Sequence, residues 1–532
     1  MTQSSVAKTM LEDEGKKARE SYFDRGREKF EALVKYLETS RATLREVEED
    51  VDGRGRAIMR DLIQGNMDLR AMEEDKLAEV EGSDGVSRRH RRSDEERTIG
   101  TIFGDVVVRR IRYESREKVA GLCPLDGELN LPGQKYSYSV AKRLGGWAAT
   151  ASFDQAIETL EQTSGITVPK RQAEELVRSS SVDFEAFYRQ RPVEEIQQDL
   201  TDTTITVLTT DGKGILVYPQ DLRQQTRNKL DKEYGDKLYF RKRMAQVAGV
   251  YQVEPYHRTE EAVVSGLMTK RSKGTKRPRP KPRYKRVWAG IVDRSEQLID
   301  TIFQEALRRD PKQRTAWVAV VDGAEAQISV IKDLARAYGV EVVIICDIIH
   351  AVEYLWEAAK ILYGDKQAQH TWVTAQLHRL LEGKVSLVAA VIRRAKTRRG
   401  RRLKKAQRDT LDVCANYLLN HRSYMRYDQY LEAGYPIGSG VIEGTVRHLV
   451  NDRMDITGAH WRLASAEAVL RMRALKASGD FDAYWRFHEQ RQLQRQHLQK
   501  YANAQLPTVL PTSCSGRGRR KGRRLTHLRL VA

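Results

Sequence analysis

"TTITVLTTDGKGILVY", residues 203–218, is the stretch on which the fold turns. It is rich in β-branched residues, which crowd a helix and suit a pleated strand. The run meets Asp211-Gly212 after Thr210. Either a carboxylate is delivered at a strand's end, where a ligand can reach it, or the dipeptide is simply a turn. Outward from here the texture stays α/β. "MAQVAGVYQVEPY" (244–256) and "RVWAGIVD" (286–293) read as two further strands, and "SEQLIDTIFQEALRRD" (295–310) as a helix. "TAWVAVVDGAEAQ" (315–327) is a fourth strand running into a second Asp-Gly, Asp322-Gly323. "ISVIKDLARAYG" (328–339) is a helix, and "VEVVIICDIIH" (340–350) a fifth strand that ends on Asp347.

Three strands, a helix, then strand and helix in alternation is the order expected of an RNase-H-like α/β core. In such a sheet the first and fourth strands are neighbours, so Asp211 and Asp322 would lie side by side. Two carboxylates that close repel unless a cation sits between them. Oxygen donors suit magnesium or manganese, and the cysteines agree: Cys123, Cys346, Cys414 and Cys514 lie far apart with no CxxC pair, so they read as reduced thiols. Two such ions are a standard arrangement for breaking a phosphodiester. A third carboxylate is then needed, and Glu443 in "GYPIGSGVIEGTVRHLVNDR" (434–453) is the candidate, placed where a glycine-rich turn becomes a helix. A glutamate in a first helical turn is also favoured by the macrodipole alone.

The chain as a whole is strongly basic, 93 Lys and Arg against 73 Asp and Glu, which points to a polyanionic partner, first of all nucleic acid. No apolar run approaches a membrane span and no signal peptide is evident, so a cytoplasmic protein without a membrane partner is expected. Residues 1–92 read as charged helices, a bundle or partner arm as much as a DNA contact, with "DGRGR" (52–56) breaking the helical pattern. "GSDGVSRRHRRSDEER" (82–97) reads as a polar linker. A β-hairpin about Gly104-Asp105 and a helix-turn-helix about Ser164-Gly165 follow, with Lys170, Arg171 and Gln172 opening the recognition helix. Residues 270–286 form a basic loop carrying Lys276, Arg277 and Arg279, placed to grip phosphates or merely solvated. Residues 355–433 read as a helical insertion, and 501–532 as a disordered basic tail.

The motifs "TTDGKG" (209–214), "VVDGAEAQ" (320–327), "CDIIHAVEYLWEAAK" (346–360) and "PIGSGVIEGTVRHLVNDRMDITGAHWRLASAEAVLRMRALKASGD" (436–480) resemble bacterial insertion-sequence DDE transposases of the ISKra-type branch, relatives of the Mutator-like group. The resemblance spans about residues 90–490. It implies Asp211, Asp322 and Glu443 as first, second and third catalytic acids, together holding two magnesium or manganese ions. Asp347 and His350 match the C/D-x-x-H signature, read as support for the core, and Asp347 is the rival for second acid. The implied organisation is a helical region (1–92), a DNA-binding region with hairpin and helix-turn-helix (93–195), a first core part (200–354), the insertion (355–433), a second core part (434–500) and the tail. A homodimer or larger homo-oligomer acting on double-stranded transposon ends and target DNA is expected. Lys213, Arg447, His448 and Arg453 are candidate phosphate contacts. Trp461 is a candidate stacking platform for an unpaired base, or a core residue.

Overall fold

A computed structural model describes residues 19–235, 239–268, 279–292, 295–438, 440–456 and 458–510, apart from the side chains at 401 and 441–443. These residues fall into two compact units. One takes the chain up to Ala141, Leu160–Thr167 and residues from Glu489 on; the other takes Lys142–Thr159 and Val168–His488. The protein is mixed α/β. No helix among the described residues is long and apolar enough to cross a membrane.

The first unit opens with helices α1 (Asp24–Thr39) and α2 (Leu44–Met72). "DGRGR" does not break the pattern as expected: α2 runs straight through it. Each glycine costs a helix about 1 kcal/mol, but Arg56 pairs with Asp52 one turn earlier at 2.6 Å, and the 29-residue helix absorbs the loss. The break lies instead before Thr43, whose hydroxyl and the Glu46 carboxylate form a capping box. Four strands follow: β1 (Val80–Glu81), β2 (Ser87–Arg88), β3 (His90–Thr101) and β4 (Gly104–Glu114). The β3–β4 hairpin is the one expected about Gly104, which takes a φ of 118°.

The polar linker is not. Residues 90–97 are strand, running across the boundary drawn between 92 and 93. Their charges are matched across the ladder, Arg92 with Glu114, Glu96 with Arg109, and Glu95 with Arg110 and Arg112, which makes a solvent-facing charged strand favourable. The apolar end of the hairpin buries Ile99, Val106 and Val108 with Leu131. The start of the presumed tail is ordered too: Val509 and Leu510 are buried with Leu125, and Asp75 N donates to Val509 O at 2.7 Å. Residues 511–532 lie outside the described residues.

The second unit holds helices α3 (Phe153–Ser164, whose second half belongs to the first unit) and α4 (Lys170–Ser180), separated by Gly165 at φ 68°. Its sheet has five strands: β5 (Ile205–Val217), β6 (Arg241–Val253), β7 (Arg283–Gly290), β8 (Ala316–Val321) and β9 (Val342–Cys346). Their order is β7-β6-β5-β8-β9. β5 and β6, and β6 and β7, are antiparallel; β5 and β8, and β8 and β9, are parallel. The first and fourth strands are therefore neighbours.

One sequence expectation fails in an informative way. β5 neither ends nor turns at Asp211-Gly212; it continues to Val217, with β6 pairing it residue for residue and Val247 opposite Asp211. Helix α5 (Ser295–Arg309) packs on β5 and β6, and α6 (Glu325–Tyr338) connects β8 to β9. After β9 come α7 (Ile348–Leu362), α8 (Lys366–Leu381), α9 (Val385–Arg399) and α10 (Lys405–Asn420). Their apolar faces, including Leu355, Leu377, Val388 and Leu411, share one core with Val207, Val318, Val320 and Ile345 of the sheet. Helices α11 (Gly440–Val446) and α12 (Leu463–Ala477) complete the unit's main elements.

Candidate active site

The sheet register lines up the acids. The β5–β8 ladder pairs Ile205 with Ala316 and continues to Thr209 with Val320. Carried two residues on, it sets Asp211 level with Asp322. The β8–β9 ladder ends on Val321 with Cys346, and Asp347 N donates to Val321 O at 2.8 Å, so Asp322 and Asp347 are level in turn. Three aspartates from three adjacent strands thus stand in one row. By strand alternation Asp211 belongs to the face on which Val207 is buried. Because β5 outlasts β8, Asp211 projects past the end of its neighbour.

Each aspartate is fixed differently. Asp211 is half-buried, and its Oδ1 accepts from Gly212 N at 2.6 Å. Burial pushes its carboxyl above the ordinary range, and the Asp322 and Asp347 carboxylates add to that push. The Gly212 N–H and His350 oppose it. Asp322 Oδ1 accepts from Ala324 N at 2.8 Å, closing an Asx turn. Gly323 follows at φ 94°, and a Cβ there would stand 3.1 Å from Tyr417 Oη. That hydroxyl donates to the Asp322 carbonyl at 2.9 Å, and the Tyr417 ring stacks on Tyr354 at 3.9 Å. Asp347 is buried and caps α7, its side chain accepting from Ile349 N at 2.8 Å. His350 lies on the first turn of α7, its Nδ1 3.1 Å from Glu353. Tyr427 donates to the Cys346 carbonyl at 2.9 Å, so two tyrosines from beyond α9 hold the ends of two strands.

The segment leading to Glu443 is tied to the same row. Ile348 N donates to Ile437 O at 2.9 Å, and a Cβ on Gly438 would lie 3.5 Å from Asp347 Oδ1. Helix α11, which carries Glu443, then packs against β5 and β6. The Glu443 side chain itself lies outside the described ones. Among the described residues no group of three or more His, Cys, Asp or Glu side chains is arranged to hold a metal ion, a statement that the Glu443 carboxylate does not enter. The donors present are carboxylate oxygens, the kind magnesium and manganese take. The Asp211 carboxyl is raised first by burial and then by the Asp322 and Asp347 carboxylates, and a cation beside it would offset both.

The other candidate residues divide into surface and interior. Lys170, Arg171 and Gln172 are exposed at the start of α4, with Lys170 paired to Asp154 at 2.8 Å. Arg279 is exposed, while Lys276 and Arg277 lie outside the described residues. Lys213 stands 3.9 Å from Asp455. Arg447 and His448 are exposed on a π-helical turn, Arg447–Asn451, and His448 contacts Asp452 at 2.9 Å. Arg453 corrects the expectation of a phosphate contact, and Trp461 takes the core alternative rather than the stacking one. Both are buried, the Arg453 guanidinium 4.7 Å over the Trp461 ring, with its pKa pressed down to about 10 by burial. Trp461 extends the end of β5, donating from N to Leu216 O at 3.1 Å and from Nε1 to Met454 O at 3.0 Å. Stacking room and phosphate access are both taken up by the core.

Sequence reasoning passed over Tyr417 and Tyr427. Nothing local distinguishes them from ordinary helical core aromatics; their bonds reach carbonyls 95 and 81 residues away. No protein-family model matches this chain, and no curated protein matches it either.

Proposed function

We propose that the protein is a DDE transposase of an insertion sequence, built on an RNase-H-like core, that binds terminal inverted repeats and cuts and joins DNA. The observation that carries the reading is the register. Asp211 and Asp322 are level on the first and fourth strands of a β7-β6-β5-β8-β9 sheet, and the helix bearing Glu443 packs on the strand bearing Asp211. Asp211, Asp322 and Glu443 would hold two magnesium or manganese ions, which when bound activate a water or 3′-hydroxyl and stabilise the leaving oxygen.

The chain's own residues prepare the site. Asp211 is a carboxyl whose ionised form its surroundings disfavour until positive charge arrives. The Asx turn and Tyr417 fix the loop on which Asp322 sits, and Asp347 spends its carboxylate on the first turn of α7. Asp322 also gives one oxygen to a backbone N–H, but it stays partly open to solvent while Asp347 is buried, and that access favours Asp322 as second acid. Lys213, two residues along β5 from Asp211, shares its face and is a candidate phosphate contact. The exposed start of α4, with Arg171 and Gln172, is the candidate for reading double-stranded ends as a homo-oligomer. The test is strand transfer by the full chain of a pre-cleaved element end in magnesium. Joined product supports the reading; cleavage without joining indicates a nuclease on the same core, and binding alone a noncatalytic regulator.

A further inference from the structure

Residues 393–408, "RRAKTRRGRRLKKAQR", carry ten lysines and arginines and no acid. They cover the end of α9, the α9–α10 connection with its short 3-10 turn Gly400–Arg402, and the start of α10. Up to Ile392, α9 turns Val385, Val388 and Ala389 into the core; beyond it only Ala395 of the helix still packs there, and Arg393, Arg394 and Arg398 are exposed. Three of these cations have local partners. Lys396 pairs with Asp412, Arg393 donates to Asn416 at 2.9 Å, and Arg399 donates to the Leu362 carbonyl while lying 5.2 Å over the Tyr363 ring. Arg394, Arg398, Arg402, Lys404, Lys405 and Arg408 face solvent or nearly so and form no ion pair among the described residues. Arg394 and Arg398 are one helical turn apart, where like charges repel.

The β3–β4 hairpin shows what the chain does when arginines serve the fold. There Arg92, Arg109, Arg110 and Arg112 are each met by a glutamate. On the α9–α10 connection the positive charge is left uncompensated, a cost that a polyanion offsets on binding. No aromatic residue lies between 393 and 408 to stack an unpaired base. An array of cations without stacking groups fits the phosphates of a duplex and carries no sequence readout.

We infer that the α9–α10 connection is a second DNA-contacting surface, one that grips the backbone of double-stranded DNA independently of its sequence. The inference rests on the reading of the chain as a DNA-acting protein. Its test is a salt titration of duplex DNA binding by the full chain and by the variant Arg394→Gln/Arg398→Gln/Lys405→Gln/Arg408→Gln, with thermal melting to confirm that these surface changes leave the fold intact. Each lost phosphate contact makes the negative slope of log K against log salt shallower by about 0.9. The expected result is a slope shallower by about 2 or more, and binding weakened about tenfold or more on unrelated duplexes alike. An unchanged slope overturns the inference, as does loss of binding to anionic lipid vesicles with DNA binding intact. If the parent binds and cuts DNA while the variant's slope is unchanged, only this surface falls. If the parent binds no duplex at all, the functional reading falls with it.

Discussion

Replacing Asp211 by asparagine should make the protein more stable at neutral pH while destroying its activity. Asp211 and Asp322 are level on strands that pair directly, about 4.8 Å apart in backbone terms. Carboxylates about 6 Å apart repel by about 3 kcal/mol at an effective dielectric of 20. Both side chains are partly open to solvent, so screening reduces this to about 1–2 kcal/mol. Asparagine keeps an oxygen to accept from Gly212 N, so the gain comes from removing a half-buried charge, its desolvation first and its repulsion by Asp322 second. The sign with pH follows from the raised Asp211 carboxyl. The folded state holds that proton more tightly than the unfolded chain, so its contribution is complete below the ordinary carboxyl range. It is lost as pH rises through the folded value. Asp211→Asn should therefore melt about 1–3 °C above the parent near pH 8, and the gap should close toward about pH 4. Added magnesium should raise the parent's melting temperature by mass action and the variant's much less. A variant that melts at or below the parent near pH 8, or an equal magnesium effect on both, would refute the argument that these acids share one crowded, cation-seeking row.

Asp322→Asn should lower DNA cleavage about a thousandfold or more, about 4 kcal/mol of barrier. Asp347→Asn, which keeps the cap on α7, should stay within about tenfold of the parent and lose little stability; full activity in the first and loss in the second would reverse their assignments. Tyr417→Phe retains the stack on Tyr354 but loses the bond to the Asp322 carbonyl. It should cost about 1 kcal/mol of stability and raise the magnesium concentration for half-maximal cleavage severalfold, whereas a merely structural hydroxyl would leave that concentration unmoved. Gly323→Ala forces a side chain onto φ 94° and against Tyr417, and thermal melting should register about 1–3 kcal/mol of destabilisation together with reduced cleavage.

How much of this was legible depends on where each signal resides. Strands β5 to β9 announce themselves through local runs such as "AWVAVV" and "VEVVIIC", because a strand buried on both faces must be apolar throughout. Asp211-Gly212 misled for the opposite reason. Its conformation is decided by β6, a partner of equal length whose pairing no local dipeptide reveals. Residues 90–97 look like linker because each charge seems unpaired in sequence, and become strand because its counterpart stands opposite. The candidate acids Asp211 and Asp322 could be proposed from grammar alone. That Asp347 joins their row needed the register, and that Arg453 and Trp461 are interior needed the packing.

The spacing of the acids along the chain bears on when the site can exist. The sheet is complete in sequence at Cys346, but Glu443 comes 97 residues later (443 − 346), beyond four long helices. At about 5–20 residues per second a ribosome needs roughly 5–20 s to cover that interval. During it the two aspartates can be in place while the glutamate has yet to be made. Ile437, which docks on Ile348, is among the last links to form. If the chain cuts DNA as proposed, its helical segment must be synthesised and packed first, which sets a built-in delay. Half-made chains, still tethered near their own template, hold a sheet but no complete set of acids.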